Sequence, residues 1–200
     1  EWNALTLKHA LADGGVVSSE LILTEKSNAI ESVRLAGDGS VAGRAALVAD
    51  IPANVDAPFG LAARGDEAYV TIAHADEISL VRHDAVLAVT PSVTQHAPCG
   101  GALDGPFLFS ANSPSKSVSR YAVYGRKIVQ DAAVVAQFTG NPTDITVRDG
   151  FAAVVDAAAG ASRVSVFKVD QDGNFALQGV AALPGGATNG VAIVDADLWR

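Results

Sequence analysis

The chain has 200 residues, of which 49% are hydrophobic and 18% are charged, a balance typical of a folded globular protein and not of a disordered one. Its 14 Lys and Arg against 22 Asp and Glu give a formal net charge of −8, which argues against nucleic acid as a partner because an acidic surface repels phosphate. No apolar run approaches the roughly 20 residues of a membrane-spanning helix, so no membrane partner is predicted. The single cysteine, Cys99, excludes an internal disulfide bond.

The sequence begins at Glu1 and contains no methionine. A primary translation product starts with methionine, so we expect this chain to be a processed or excised portion of a longer protein. The composition predicts a soluble protein and leaves open whether it is cytoplasmic or a secreted or periplasmic bacterial protein.

One pattern occurs four times along the chain. Each copy is an apolar run, a short polar loop, and a second run that starts with a β-branched residue, continues with Ser or Glu and has an apolar residue in fourth place. These second runs start at Ile30, Ile78, Val118 and Val164, at separations of 48, 40 and 46 residues. Such an irregular period falls in the range of propeller blades.

Each copy predicts four strands. The apolar runs are short, bounded by turn residues and rich in β-branched and aromatic residues, which is typical of strands. They lie at residues 21–24, 68–71, 107–110 and 152–155. A strand of small residues precedes three of these runs and a fourth strand follows each second run. The smallest side chains are thus expected nearest the axis, where the strands of wedge-shaped blades converge.

In chain order, the sequence predicts four complete blades of a single propeller domain or propeller fragment. Their approximate limits are residues 15–49, 59–93, 99–138 and 143–183. Residues 4–11 resemble residues 176–183, so we interpret them as the outer strand of a part-blade, and we interpret residues 189–194 as the inner strand of another. The predicted fold class is therefore all-β, a β-propeller of four-stranded antiparallel blades with part-blades at both termini.

The number of blades has two interpretations. The chain could form a compact five-bladed ring, with the fifth blade assembled from both ends. Alternatively, it is the later portion of a larger ring, and a missing propeller segment or a second chain covers the exposed blade edges. The expectation that an upstream piece is missing favours the larger ring.

Blade topology sorts the loops onto two rims. We call the first rim the end that carries the loops from strand two to strand three and from strand four to the next blade; the second rim carries the other hairpins. Turn-forming Asp and Gly dominate the predicted second rim. Chemically versatile residues gather on the first rim, where a small-molecule ligand is expected because binding sites favour loops on a rigid scaffold. Blade topology also places Asp76 on this rim, and the residues predicted to line the ligand site are Lys26, Cys99, Asn112, Asp156 and Asn189.

Five short motifs resemble those of the lactonase-like β-propeller family, whose members include 6-phosphogluconolactonases and carboxymuconate cyclases. The motifs are LILTEK at 21–26, APFG at 57–60, APCG at 97–100, SANS at 110–113 and NPTD at 141–144. The resemblance runs from about Ala4 to Val194. It implies a seven-bladed ring, of which this chain would be the C-terminal portion, and a lactonase or cyclase that acts on a small acidic lactone at the channel rim.

Four residues of the first rim are the catalytic candidates. His74 and His96 could assist the opening of a lactone together with Glu25 or Asp144, because hydrolysis needs a proton shuttle beside a polarised carbonyl. The alternative for Asp144 is a hydrogen bond to the backbone of a neighbouring blade. At the level of the whole protein, the alternative is a non-catalytic propeller scaffold that binds a small molecule or a protein partner, since fold alone does not determine function.

The same rim offers side chains that suit zinc, namely His74, His96 and Cys99. They lack the short ligand spacings of zinc motifs, and solvated loop histidines beside a packed cysteine are the simpler interpretation. We therefore predict no metal and no cofactor.

Overall fold

The computed structural model describes residues 2–11, 17–25, 29–43, 46–50, 57–83, 85–184, 186 and 188–194. Over these residues the structure is all-β and contains sixteen strands in four antiparallel sheets of four. Each sheet is a meander in which strands adjacent in the chain are also paired. We number the sheets as blades 1 to 4 in chain order; the first also contains residues 2–11, which lie outside the blade predicted at residues 15–49.

The strand limits are as follows. Blade 1 consists of β1 (Trp2–Leu11), β2 (Val17–Glu25), β3 (Ala29–Leu35) and β4 (Ala46–Asp50). Blade 2 consists of β5 (Pro58–Arg64), β6 (Glu67–Ile72), β7 (Glu77–Arg82) and β8 (Ala85–Pro91). Blade 3 consists of β9 (Pro98–Asp104), β10 (Phe107–Asn112), β11 (Ser117–Tyr124) and β12 (Lys127–Gln137). Blade 4 consists of β13 (Asn141–Arg148), β14 (Phe151–Ala157), β15 (Arg163–Val169) and β16 (Phe175–Ala182).

The first strands of the four blades, β1, β5, β9 and β13, lie against one another in chain order. The blades therefore stand side by side around a common axis, which confirms the predicted all-β propeller class. The number of blades in a complete ring stays a prediction.

The structure differs from the sequence analysis at the N-terminus. Residues 4–11 were predicted to be the outer strand of a part-blade, but they lie in β1, which pairs with β2 and packs beside β5 as the inner strand of blade 1. The resemblance to residues 176–183 reflects the apolar pattern of a strand. That pattern says nothing about which neighbour the strand pairs with, and pairing decides its place in a blade.

The predicted inner strand at residues 189–194 is likewise corrected, because no strand forms there. The segment nevertheless lies along β13. Thr143 Oγ1 donates a hydrogen bond to the carbonyl of Thr188 (2.9 Å), and the Val191 N–H donates to Asp144 Oδ2 (3.0 Å). It thus occupies the side of β13 on which a following inner strand would pack.

Hydrophobic side chains fill each junction between blades. Tyr69 and Leu80 of blade 2 pack with Tyr121 of blade 3. At the next junction, Phe109 and Phe167 belong to one buried cluster. Because every interior blade is covered on both faces, its middle strands are buried at nearly every position, and this explains the continuous apolar runs in the sequence.

The inner strands approach so closely that glycine is required at one repeated position. A Cβ atom on Gly60 would lie 2.1 Å from the carbonyl oxygen of Cys99, and one on Gly100 would lie 2.7 Å from Cα of Asp144. The same position in β13, which faces residues 188–194, is Asp144 itself. Small residues are therefore needed near the axis because the backbone of one inner strand packs directly against the backbone of the next.

A threonine at a repeated position fastens each of the first two blades to the next one. Thr24 Oγ1 donates a hydrogen bond to the carbonyl of Phe59 (3.0 Å), and Thr71 Oγ1 donates to the carbonyl of Cys99 (2.8 Å). Thr71 also accepts a hydrogen bond from the Gly60 N–H (2.8 Å). Its hydroxyl therefore satisfies two backbone groups from two blades.

Replacement of Thr71 by Val is expected to lower the free energy of unfolding by about 1–3 kcal/mol, because it keeps the shape but removes the hydroxyl that pairs with the buried Gly60 N–H and the part-buried Cys99 carbonyl. Urea denaturation measures the effect. The control is Thr94→Val at an exposed threonine, which should change stability by less than about 0.5 kcal/mol. Equal stability of the two variants would show that the Thr71 hydroxyl does not join the blades.

Candidate functional site

An aspartate and a histidine pair on the first rim, where blades 2 and 3 meet. Asp76 ends the turn between β6 and β7, and His96 lies in the connection between β8 and β9. The His96 Nδ1 atom lies 2.7 Å from Asp76 Oδ2. An ionised carboxylate only accepts hydrogen bonds, so the pairing favours the tautomer with the proton on Nδ1 and leaves the Nε2 lone pair free.

Three backbone contacts hold this pair in place. The Ala97 N–H donates to the second oxygen of Asp76 (2.7 Å), and the His96 N–H donates to Ser115 Oγ (2.7 Å). The Asp76 carbonyl accepts from the Ser92 N–H (2.6 Å). Asp76 and Ala97 both have a positive φ, 54° and 49°, a conformation that non-glycine residues adopt at a cost and that clusters at functional sites.

The His96 side chain is 70% exposed, against 34% for Asp76. An oriented imidazole with a free Nε2 in contact with solvent can take a proton from water and return it to a leaving group. The arrangement resembles the acid–base half of a hydrolytic site, in which a carboxylate orients the histidine.

The other catalytic candidates lie elsewhere on this rim. His74 is exposed, in the same turn as Asp76, and has no hydrogen bond to the described residues. Glu25 ends β2 and its side chain falls outside the described part of the chain, as does Lys26 entirely. Sequence reasoning placed Asp76 on the first rim but missed it as the partner of His96, because no local pattern joins residues of two different blades.

Asp144 contacts backbone and not histidine. Its carboxylate accepts hydrogen bonds from the N–H groups of Ile145 (2.9 Å) and Val191 (3.0 Å). Burial raises the pKa of Asp144 above the usual carboxyl value, although both hydrogen bonds oppose the shift. This geometry matches the alternative interpretation of Asp144 as a backbone partner at the rim.

Asp144 should therefore make the free energy of unfolding depend on pH with a sign opposite to that of most carboxyl groups. Its folded pKa exceeds the unfolded value, so its contribution is fully present below the unfolded pKa and is lost as pH rises through the folded pKa. We expect the stability of wild type relative to Asp144→Asn to fall as pH rises from the acid range to neutrality, as measured by urea denaturation at several pH values.

Asp170 supplies a control of opposite sign for this measurement. Backbone and side-chain hydrogen bonds from Asn174 lower the pKa of Asp170. The stability of wild type relative to Asp170→Asn should therefore rise with pH over the carboxyl range. If the stability of wild type relative to both variants changed with pH in the same direction, the raised pKa of Asp144 would be contradicted.

Three of the residues predicted to line a ligand site have distinct surroundings. Cys99 is half-buried, its Sγ lies 3.4 Å from the Ala97 carbonyl, and burial raises the pKa of its thiol, which keeps it a poor nucleophile. Asn112 is fully buried and hydrogen-bonded to serines within blade 3. Asn189 is exposed beside β13.

A cavity of about 350 Å³ opens along the inner strands, and we call it the axial cavity. Its walls are β5, β9 and β13 together with Val191, and its side chains are mostly small or aliphatic, such as Ala62, Leu103 and Val147. Asp144 is the one titratable residue among those that line it.

Metal binding and membrane crossing find no support in the described residues. His74, His96 and Cys99 do not form a metal-binding group there, and neither do any other three His, Cys, Asp or Glu side chains. The same residues include no helix with the length and apolar character that spanning a bilayer requires.

No protein-family model and no curated protein matches the chain. Solved structures do match it in fold. They include hydrazine synthase of Kuenenia stuttgartiensis (TM-score 0.62, 14% identity, 88% of this chain and 49% of that one) and a chain of a nidogen/laminin complex (0.60, 19%, 84% and 63%). A putative 6-phosphogluconolactonase from Bacteroides uniformis matches with a TM-score of 0.58 and 13% identity, over 86% of this chain and 55% of that one.

The chain thus spans 49–63% of the length of these solved chains. The TM-scores show a shared fold, and identities below one fifth show nothing about activity. What these comparisons add to the geometry is that the four-bladed arrangement described above is a fold already known in larger proteins, one of them a putative lactonase.

Proposed function

We propose that the chain carries a lactonase-like hydrolytic site on the first rim, where blades 2 and 3 meet, and that its substrate is a small acidic lactone. The Asp76–His96 pair is the observation that carries the proposal. Support also comes from the family resemblance of the short sequence motifs and from the fold shared with a putative 6-phosphogluconolactonase.

The chemistry follows from the free Nε2 atom of His96. The imidazole removes a proton from a water molecule as its oxygen attacks the lactone carbonyl, and a tetrahedral oxyanion forms. Collapse of that intermediate breaks the bond between the carbonyl carbon and the ring oxygen, and the imidazolium returns the proton to the departing alkoxide. Asp76 keeps the ring in one orientation and stabilises its charged form.

A nearby cation explains a preference for acidic substrates. Lys116 directly follows Ser115, whose Oγ accepts the hydrogen bond from the His96 N–H, and the Lys116 side chain is exposed. Its ammonium group would attract the carboxylate or phosphate of a substrate and thereby counter the net negative charge of the chain.

A lactone screen on the 200-residue chain tests the proposal. Glucono-δ-lactone and its 6-phosphate are compared in a pH-stat assay, which records the acid released by ring opening. We expect hydrolysis above the buffer rate and faster turnover of the phosphate ester. In Lys116→Ala, the preference for the phosphate ester should shrink while hydrolysis of the neutral lactone stays the same. No hydrolysis of either lactone would overturn the proposal.

The second candidate is a non-catalytic propeller scaffold that binds a small molecule or a protein partner. The axial cavity favours it, since it offers about 350 Å³ of space along the inner strands and its lining residues include no histidine. Saturable binding of the same lactones without turnover would support this alternative.

A further inference from the structure

The segment that lies along β13 contains an asparagine followed directly by glycine. The pair is Asn189 and Gly190, and no other asparagine of the chain precedes a glycine. Both residues are exposed and lie outside the strands. The Asn189 side chain has no hydrogen bond to the described residues. Its amide group is therefore in contact with solvent and is not held by a neighbour.

The backbone requires glycine at position 190. The φ angle of Gly190 is 85°, a conformation that glycine adopts readily and residues with a Cβ atom adopt at a cost. Nothing stands within 4 Å of the place that a Cβ atom would take. The Gly190 N–H donates no hydrogen bond to the described residues. The nitrogen is thus open to reaction with the side-chain amide of the residue before it.

We propose that Asn189 deamidates spontaneously in the folded chain and that isoaspartate at this position loosens residues 188–194 from β13. The Gly190 nitrogen loses its proton to hydroxide and attacks Cγ of Asn189. A succinimide ring closes, and the side-chain nitrogen leaves as ammonia with a proton from water. Water then opens the ring at one of its two carbonyls. Opening at Cγ gives aspartate, and opening at the main-chain carbonyl gives isoaspartate, in which the chain runs through the former side chain.

Hydrogen bonds fasten this segment to β13 on both sides of the reactive pair. Thr143 Oγ1 donates to the Thr188 carbonyl (2.9 Å), and the Val191 N–H donates to Asp144 Oδ2 (3.0 Å). Because Thr143 and Asp144 are adjacent in β13, the two contacts can form together only if the main chain between them has the right length. Isoaspartate adds one carbon atom to that length, about 1.5 Å. The two contacts can then no longer keep the same geometry.

Both products also place a new negative charge close to Asp144. That carboxylate is half-buried, and burial already raises its pKa. A second carboxylate two residues before Val191 disfavours the ionised form of Asp144 further. Aspartate adds only the charge, whereas isoaspartate adds the charge and the extra carbon atom. The variant Asn189→Asp therefore separates the two effects.

The modification reaches the axial cavity. Asp144 and Val191 are both among the residues that line it, so loss of their contact changes one of its walls. The Asp76–His96 pair lies at the junction of blades 2 and 3, away from this segment. Lactone hydrolysis should therefore be the same before and after the modification.

Three other asparagines are internal controls. Asn112 is fully buried, and its amide nitrogen donates to two serines. Asn141 precedes a proline, whose nitrogen has no proton to lose. Asn174 precedes a phenylalanine, and its side-chain nitrogen donates to Asp170 Oδ2 (3.1 Å). Each of them lacks at least one of the features that leave Asn189 open to reaction.

Peptide mapping of the folded 200-residue chain measures the reaction, with samples taken before and after incubation at mildly alkaline pH. Trypsin cleaves after Lys168 and leaves residues 169–200 as one peptide, which contains both Asn174 and Asn189. Tandem mass spectrometry locates the exchange of amide for acid. We expect Asn189 to deamidate at least about tenfold faster than Asn174, which corresponds to an activation barrier lower by about 1.4 kcal/mol. Equal rates at the two positions, or no acid at position 189, would refute the site.

Asn189→Gln is the variant that blocks the reaction. Glutamine keeps the amide but must close a larger ring, so the acidic form of the chain should no longer accumulate on anion-exchange chromatography. The substituted side chain is exposed, and the variant should fold as wild type does. An acidic form that accumulates at the wild-type rate in Asn189→Gln would place the reaction elsewhere in the chain.

Hydrogen exchange measures the loosening of residues 188–194. Anion exchange separates the modified chain, and methylation by an isoaspartyl methyltransferase identifies its isoaspartyl fraction. The Val191 amide should lose its protection in the isoaspartyl chain and keep most of it in Asn189→Asp, whose main chain has the normal length. Wild-type protection in the isoaspartyl chain, or an equal loss in Asn189→Asp, would overturn the proposed effect of the added carbon atom.

Discussion

Replacement of His96 by Gln should lower kcat/KM for lactone hydrolysis by about 10²–10⁴-fold, the range that general acid–base catalysis contributes. Glutamine keeps hydrogen-bonding capacity and approximate size but cannot exchange a proton near neutral pH. The backbone contact from His96 to Ser115 does not involve the side chain, so the loop should keep its place. Initial rates in the pH-stat assay, with the lactone below its KM, measure the effect.

His74→Gln is the matched control, because His74 is an exposed histidine on the same rim without a described partner. Its activity should equal that of wild type. The activity of Asp76→Asn should lie between those of His96→Gln and His74→Gln, because an asparagine can still contact the imidazole ring but no longer stabilises an imidazolium. If His74→Gln lost as much activity as His96→Gln, the oriented pair would not be the source of catalysis.

Replacement of Gly60 by Ala is expected to lower the free energy of unfolding by about 3 kcal/mol or more, at the upper end of overpacking effects. The added Cβ would lie 2.1 Å from the carbonyl oxygen of Cys99 on the next inner strand. Backbone at that point cannot move without separating blades 2 and 3. Urea denaturation followed by circular dichroism measures the loss.

Gly179→Ala in β16 is the control for this substitution. That glycine also lies within a strand, yet nothing stands within 4 Å of the position of its Cβ. The change should be neutral or stabilising by up to about 1 kcal/mol, because alanine loses less backbone entropy on folding. Gly100→Ala should behave like Gly60→Ala. Similar stabilities for Gly60→Ala and Gly179→Ala would contradict the close approach of the inner strands.

The candidate site was predicted in part from the sequence. Blade topology placed His96 and Asp76 on one rim because loop positions follow from strand order alone. Their pairing could not be predicted, since it depends on how the connection between β8 and β9 crosses the turn after β6. Asp156 was predicted to line a ligand site on the first rim, but the structure buries it, and its Oδ1 atom has no hydrogen-bond partner among the described residues.

The sequence by itself determined that this chain is a row of four-stranded blades, because each strand can be recognised from a short apolar run and the turn residues on either side of it. Only the tertiary structure decided where the ends belong and which polar groups meet. The apolar pattern of residues 4–11 fits an outer and an inner strand equally well, and only the pairing of β1 with β2 makes it the inner strand of blade 1. The physical reason is the range of the interactions: residue patterns report contacts within a few positions, whereas inter-blade pairs are set by packing between segments that are distant in the chain.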